Sequence, residues 1–242
     1  MLAIETRNLS KKYKEKYAVK NLNLTVNHGE LYGLLGVNGA GKSTTIKMLS
    51  CLVPPTGGDA CLNGHSVVKN TQEVKNIISV SPQETAVSEK LNVRENLEFI
   101  AQIYGFNRKN AKQKAEEIIN QFELQEFAKQ RAKTLSGGLM RRLSIAMALI
   151  TEPEILFLDE PTLGLDVLAR RELWQVISKL KGKITIILTT HYLEEAESLC
   201  DRIGIMSKGE LKAEGTAQEL KAFAKTDDFE DAFVKICNGG AL

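Results

Sequence analysis

The chain has 242 residues, 43% hydrophobic and 26% charged, enough for one large α/β domain whose core needs no covalent staples. Its net charge is +2 and the basic residues are spread along it, which speaks against the concentrated basic footprint of a nucleic-acid binder. No window reaches the roughly 18 apolar residues of a membrane span, because Glu152, Pro153 and Glu154 interrupt the longest candidate. Cys51, Cys61, Cys200 and Cys237 lack C-x-x-C spacing, and Cys51 and Cys200 fall in apolar helical patterns, so buried free thiols in a reducing compartment are expected. Met1 to Glu5 shows no basic segment leading into an apolar one, so no signal peptide is expected.

In chain order, residues 2–8 and 22–26 alternate apolar and polar side chains, predicting half-buried antiparallel strands with Tyr13 and Tyr17 in a basic loop between them. Leu31 to Leu35 predicts a buried strand. A helix follows from Lys42 to about Cys51, ended by Pro54-Pro55-Thr56-Gly57-Gly58-Asp59, with a short strand and turn at Ala60 to Gly64. Ile77 to Ser81 predicts a strand ending at Pro82-Gln83, a position where α/β proteins place ligands. Val93, Leu97, Ile100, Ala101 and Tyr104 share helical spacing, as do Ala111, Ala115, Ile118, Ile119 and Phe122. Two amphipathic helices are therefore inserted between strands of the sheet. Leu135-Ser136-Gly137-Gly138 opens a further helix, with Ser136 as N-cap and Leu143, Met147 and Ile150 along one face. Ile155 to Leu158 and Ile184 to Thr190 are continuous apolar runs, predicting strands buried on both faces.

Chemistry concentrates at the ends of those strands. Gly36-Val37-Asn38-Gly39-Ala40-Gly41-Lys42-Ser43-Thr44 fits Gly-x-x-x-x-Gly-Lys-Ser/Thr between a buried strand and a helix. Glycines allow backbone N–H groups, here from Gly36 and Asn38 through Thr44, to converge on phosphate oxygens; the helix start adds partial positive charge. Lys42 can reach the β- and γ-phosphates and the Ser43 hydroxyl can ligate Mg²⁺. Asp159, at the end of a buried strand, fits a holder of Mg²⁺, directly or through water. Glu160 is placed to orient or deprotonate an attacking water, and His191, ending a neighbouring strand, lies within reach of a γ-phosphate.

With these pieces in order, nearly the whole chain resembles the nucleotide-binding subunit of ATP-binding cassette (ABC) transporters; Leu135-Ser136-Gly137-Gly138 between the two nucleotide motifs matches that family's signature. The resemblance implies an α/β fold: a P-loop NTPase (RecA-like) core with an N-terminal antiparallel β subdomain and an inserted α-helical subdomain. The core would comprise 1–83 and 152–220, the helical subdomain 84–151 and a C-terminal helical tail 221–242. It further implies that Tyr13, with Tyr17 its rival, stacks on adenine, that Gln83 senses Mg²⁺ and the membrane partner, that Leu163-Gly164-Leu165-Asp166 forms the D-loop, and that His191 is the switch histidine.

Glu160, His191, Lys42 and Gln83 would then serve catalysis, and Ser43, Gln83 and Asp159 would hold Mg²⁺. The cofactors implied are ATP and Mg²⁺. Family members pair head to tail, so Ser136, Gly137 and Gly138 would complete a nucleotide site on a second cassette, and Asp166 of the D-loop would also contribute to nucleotide binding. The other implied partner is an integral membrane permease, placing the chain in the cytoplasm at the inner face of the membrane; no nucleic-acid partner is expected.

Leu139 and Leu163 depart from the family's usual glutamine and small or polar residue, though neither position must carry charge. Leu139-Met140-Arg141-Arg142, the stretch Thr189 to Glu197, and Asp228 to Val234 look like bacterial exporter ATPases that serve a separate permease. Two alternatives are a soluble cassette acting on DNA or ribosomes and a regulator that binds nucleotide with little turnover. Ser43 and Ser136 are 93 residues apart, too close for the long inserted coiled coil of DNA-repair cassettes, and the two-cassette ribosomal type finds only one cassette here.

Overall fold

Two sheets of opposite character organise residues 2–239, which the computed structural model describes; Met1 and residues 240–242, the outer ends of the expected core and tail segments, lie outside them. The first sheet is antiparallel, built from β1 (Leu2–Tyr13), β2 (Lys16–Leu22), β3 (Thr25–Asn27), β5 (Gly57–Leu62) and β6 (His65–Ser66), in the order β2-β1-β5-β6 with β3 also on β1. Its apolar side chains, among them Ile4, Leu9, Val19, Leu22, Val26 and Leu62, are fully buried beneath it. Each such burial is worth about 1.5–3 kcal/mol.

The expected basic loop around Tyr13 and Tyr17 is instead a hairpin. Lys11 faces Val19, Lys12 faces Tyr17 and Tyr13 faces Lys16, and only Lys14-Glu15 turns, with Lys14 at φ 52°. Lysine-rich sequence reads as loop, but these ammonium groups lie over aromatic rings, Lys11 at 5.3 Å from the Tyr13 centroid and Lys12 at 5.6 Å from that of Tyr17. An edge strand tolerates, and is protected by, such charge.

The second sheet contains β4 (Leu31–Leu35), β7 (Ile78–Ser81), β8 (Ile155–Asp159), β9 (Thr185–Thr190), β10 (Arg202–Ser207) and β11 (Glu210–Gly215), in the order β11-β10-β4-β9-β8-β7. All neighbours are parallel except β11, which returns antiparallel to β10. Every residue of β4, β8 and β9 is buried, as continuous apolar runs require when both faces are covered. Several boundaries differ from expectation: the expected strand at 22–26 is split between the end of β2 and the start of β3, and the expected strand at 2–8 runs on to Tyr13. Helix α2 (Thr71–Ile77) takes Ile77, so β7 starts one residue later, and β5 already begins at Gly57, inside the expected break.

Helix α1 (Lys42–Leu49) packs between the sheets, while α3 (Val93–Ile103), α4 (Arg108–Gln121) and α5 (Gly137–Ala148) lie between β7 and β8 in sequence and share one apolar cluster. Asn92 and Glu95 form a reciprocal capping box at α3, worth about 1 kcal/mol. The remaining helices are α6 (Val167–Ser178), α7 (Leu193–Leu199), α8 (Ala217–Phe223) and α9 (Phe229–Cys237), the last three covering the β10 side of the sheet. All four cysteines are free, but Cys51 and Cys200 are partly rather than fully buried: each follows its helix, α1 or α7, where the chain turns out of the core.

Glu195 of α7 is fully buried, and its Oε1 accepts from Trp174 Nε1 of α6 at 3.0 Å. Burial raises its pKa above the usual 4.5, so the folded state holds this proton to higher pH than the unfolded chain does. That contribution to stability is present at low pH and is lost as pH rises through the raised value. Glu195→Gln removes the titration, so its melting temperature relative to the unaltered protein is expected to climb from pH 4.5 upward; a difference independent of pH would contradict this.

Candidate active site

The sheet aligns the ends of three buried strands on one edge. Asp159 pairs in register with Thr189, and Leu35 with Thr190, so the loop after β4, the carboxylates after β8 and the histidine after β9 emerge side by side. The loop from Gly36 to Gly41 turns directly into α1. Gly41 has φ 107°, and a Cβ there would sit 2.5 Å from the Ala18 carbonyl oxygen; a Cβ on Gly36 would sit 2.5 Å from that of Met206. Glycine is therefore required at both positions by a close approach of backbone.

A cavity of about 580 Å³ opens over this loop. Asn38, Gly39, Ala40, Gly41, Lys42, Ser43 and Thr44 line it, facing Gln83, Glu160 and His191, with Tyr13 and Tyr17 at its mouth. Both tyrosines are about half exposed and line the cavity. Lys42 is buried and folds back onto its own loop: its Nζ donates to Gly36 O at 2.7 Å and Val37 O at 3.3 Å and lies 3.5 Å from Glu160 Oε1. Burial lowers its pKa, an effect opposed by the carboxylates of Glu160 and Asp159.

Asp159 Oδ1 accepts from Ser43 Oγ at 3.1 Å and from Thr189 Oγ1 at 2.5 Å. Glu160 takes a left-handed backbone, φ 47°, with its N–H donating to both the carbonyl and the hydroxyl of Thr189 at 3.1 Å. Such a conformation is uncommon in a non-glycine residue and aims the side chain into the cavity rather than along the strand. Glu160 Oε2 lies 3.2 Å from His191 Nδ1, off the line of a hydrogen bond.

The sequence-predicted residues thus divide into two groups. Tyr13, residues 38–44, Gln83, Glu160 and His191 line one cavity, with Asp159 bonded to Ser43 beside it; Gly36 and Val37 do not line it, though their carbonyls accept from Lys42. Ser136, Gly137, Gly138 and Asp166 do not line it. Ser136 is exposed and caps α5, its Oγ accepting from Leu139 N at 3.3 Å; Asp166 caps α6, accepting from the N–H groups of Leu168 and Ala169. Thr189 and Arg141 were not predicted. Thr189 is hidden in an apolar run. Arg141 carries a signal that could have exposed it, since it shares helical spacing with Ser144, Ile145 and Ala148, all on the buried face of α5.

A family model described as ABC transporter matches residues 19–163. The chain belongs to the ABC transporter family. This cassette is 42% identical over 221 residues to the daunorubicin resistance ATP-binding protein DrrA3 of Streptomyces coeruleorubidus, covering 91% of the cassette and 70% of that protein. It is 42% identical over 218 residues to the linearmycin resistance ATP-binding protein LnrL of Bacillus subtilis (strain 168), covering 90% and 70%. A solved cassette dimer in a post-hydrolysis state with bound ADP and phosphate superposes with a TM-score of 0.78 at 28% identity, covering 88% of this chain and 98% of that one. The cassette is an ATP-binding subunit of a transporter and carries the ATPase fold of its family.

To bind a phosphate, Lys42 must exchange its loop carbonyls and Glu160 for phosphate oxygens, a charge-assisted contact worth about 1.5–3 kcal/mol. Lys42→Ala is expected to weaken ATP binding about 10- to 100-fold in a calorimetric titration. An unchanged titration would remove Lys42 from the phosphate site.

Proposed function

We propose that the cassette hydrolyses ATP with Mg²⁺ and uses the cycle of dimer closure and opening to drive export through a separate membrane permease. The observation that carries this is the position of Glu160, buried between Lys42 and His191 and aimed into the cavity. There it polarises a water for attack on the γ-phosphoryl group, while Lys42 and His191 stabilise the charge that develops. The backbone amides of residues 36–44 cradle the phosphates and Tyr13 stacks on the base. Ser43 and Asp159, two hard oxygen donors 3.1 Å apart, fit Mg²⁺, with Gln83 reaching it from the exposed loop after β7. When bound, the ion would neutralise charge on the phosphates.

Ser136, Gly137, Gly138 and Asp166 lie outside the cavity of their own chain, and a second cassette supplies them in trans. The relative solved as a dimer with bound ADP and phosphate supports the pairing of two cassettes. For the permease, no helix among the described residues is long and apolar enough to cross a membrane. A second groove of about 200 Å³, lined by Val80, Pro82, Ile100, Tyr104 and Met147, opens beside the loop carrying Gln83, with Phe99 and Ile103 exposed nearby. An apolar segment seated there would press directly on that loop. Two relatives are named for resistance to antibiotics, which supports outward movement. The family match and these relatives favour a transporter subunit over a DNA- or ribosome-acting cassette.

Glu160→Gln keeps the shape of the side chain and removes its basicity. It is expected to bind ATP with near-normal affinity, to lose steady turnover and to accumulate as an ATP-bound dimer on size-exclusion chromatography. Near-normal hydrolysis by that variant would rule out the role given to Glu160.

A further inference from the structure

Arg141 of α5 is 5% exposed, and among the described residues its guanidinium hydrogen-bonds to backbone carbonyls rather than to a carboxylate. It donates to four of them: Nη2 to Asp159 O at 2.7 Å, Nε to Pro161 O at 2.7 Å, and Nη1 to Pro82 O at 2.5 Å and Gln83 O at 3.1 Å. The first two belong to the residues on either side of Glu160. The other two belong to the loop after β7, whose Gln83 faces the same cavity.

Glu160 holds a left-handed backbone with φ 47°, which costs about 1–3 kcal/mol unless the surroundings fix it. Thr189 fixes its N–H from one side. Arg141 captures the carbonyls before and after it from the other. The same helix carries Ser136 at its N-cap, five residues before Arg141. Burial lowers the Arg141 pKa to about 10, which leaves the group charged at neutral pH, and charge-assisted donation to carbonyls is at its strongest there.

We propose that Arg141 is a positioning residue for hydrolysis, a clamp that locks the backbone around Glu160, ties it to the Gln83 loop and links both to the helix that presents Ser136. The inference rests on the role of Glu160 proposed above. Lysine offers a point charge that cannot span carbonyls in a planar fork, and glutamine keeps two donors without the charge. A helix that shifts when Ser136 engages a second cassette therefore moves the Glu160 backbone and the Gln83 loop with it.

The test compares Arg141→Lys, Arg141→Gln and Glu160→Gln in purified full-length protein, measuring ATP affinity, steady-state turnover and the residual rate of each double variant with Glu160→Gln. Both Arg141 variants are expected to lose about 10- to 100-fold in kcat with ATP affinity within about twofold of the unaltered protein, and neither should lower the residual rate of Glu160→Gln further. Full kcat in either Arg141 variant, or parallel loss of affinity and kcat in both, would overturn the clamp. Additive loss in the double variants would overturn it too, by separating Arg141 from Glu160. An active Glu160→Gln variant would instead overturn the underlying reading of Glu160, whatever the Arg141 variants do.

Discussion

A single carboxylate oxygen holds the functional edge of this protein together. Asp159 Oδ1 accepts from Ser43 Oγ at the start of α1 and from Thr189 Oγ1 at the end of β9, so three chain segments far apart in sequence meet on one atom. Around that point Lys42 lies against Glu160, Glu160 against His191, and the glycine loop closes over backbone from β2 and β10. The parallel register of β4, β9 and β8 makes this convergence unavoidable: once these apolar runs pair, their polar ends share one edge.

Lys42 is held by its own loop. Its ammonium is satisfied by two carbonyls of its own loop, with a carboxylate nearby. A buried cation without such partners would be strongly disfavoured. A phosphate offers the same kind of oxygen partners with more charge, so in the proposed phosphate site Lys42 would exchange one set of charge-assisted bonds for a stronger one.

Much of this was legible in the sequence because the relevant signals are local. The glycine spacing of 36–43, the apolar runs before Asp159 and His191, and the cap at Ser136 each lie within a few residues of their consequence. The hairpin holding Tyr13 and Tyr17 was less visible, since its lysines read as loop until cross-strand ring contacts are seen. Arg141 and Thr189 were least visible, because their partners lie 18 to 59 and 29 to 30 residues away and no short motif records such contacts. The two tyrosines remain equivalent in the fold, both lining the cavity with a lysine ammonium over the ring.

The central claim is that residues 36–44, Asp159, Glu160 and His191 form half of a working site, and that Ser136 to Gly138 on a second copy form the rest. Mixing two inactive proteins tests this most directly: one altered at Ser136, the other Glu160→Gln. A heterodimer of the two contains one site with an intact Glu160 and an intact Ser136, so ATPase activity should return to about one working site per heterodimer. No recovery of activity, with heterodimers demonstrated in the same sample, would contradict the account.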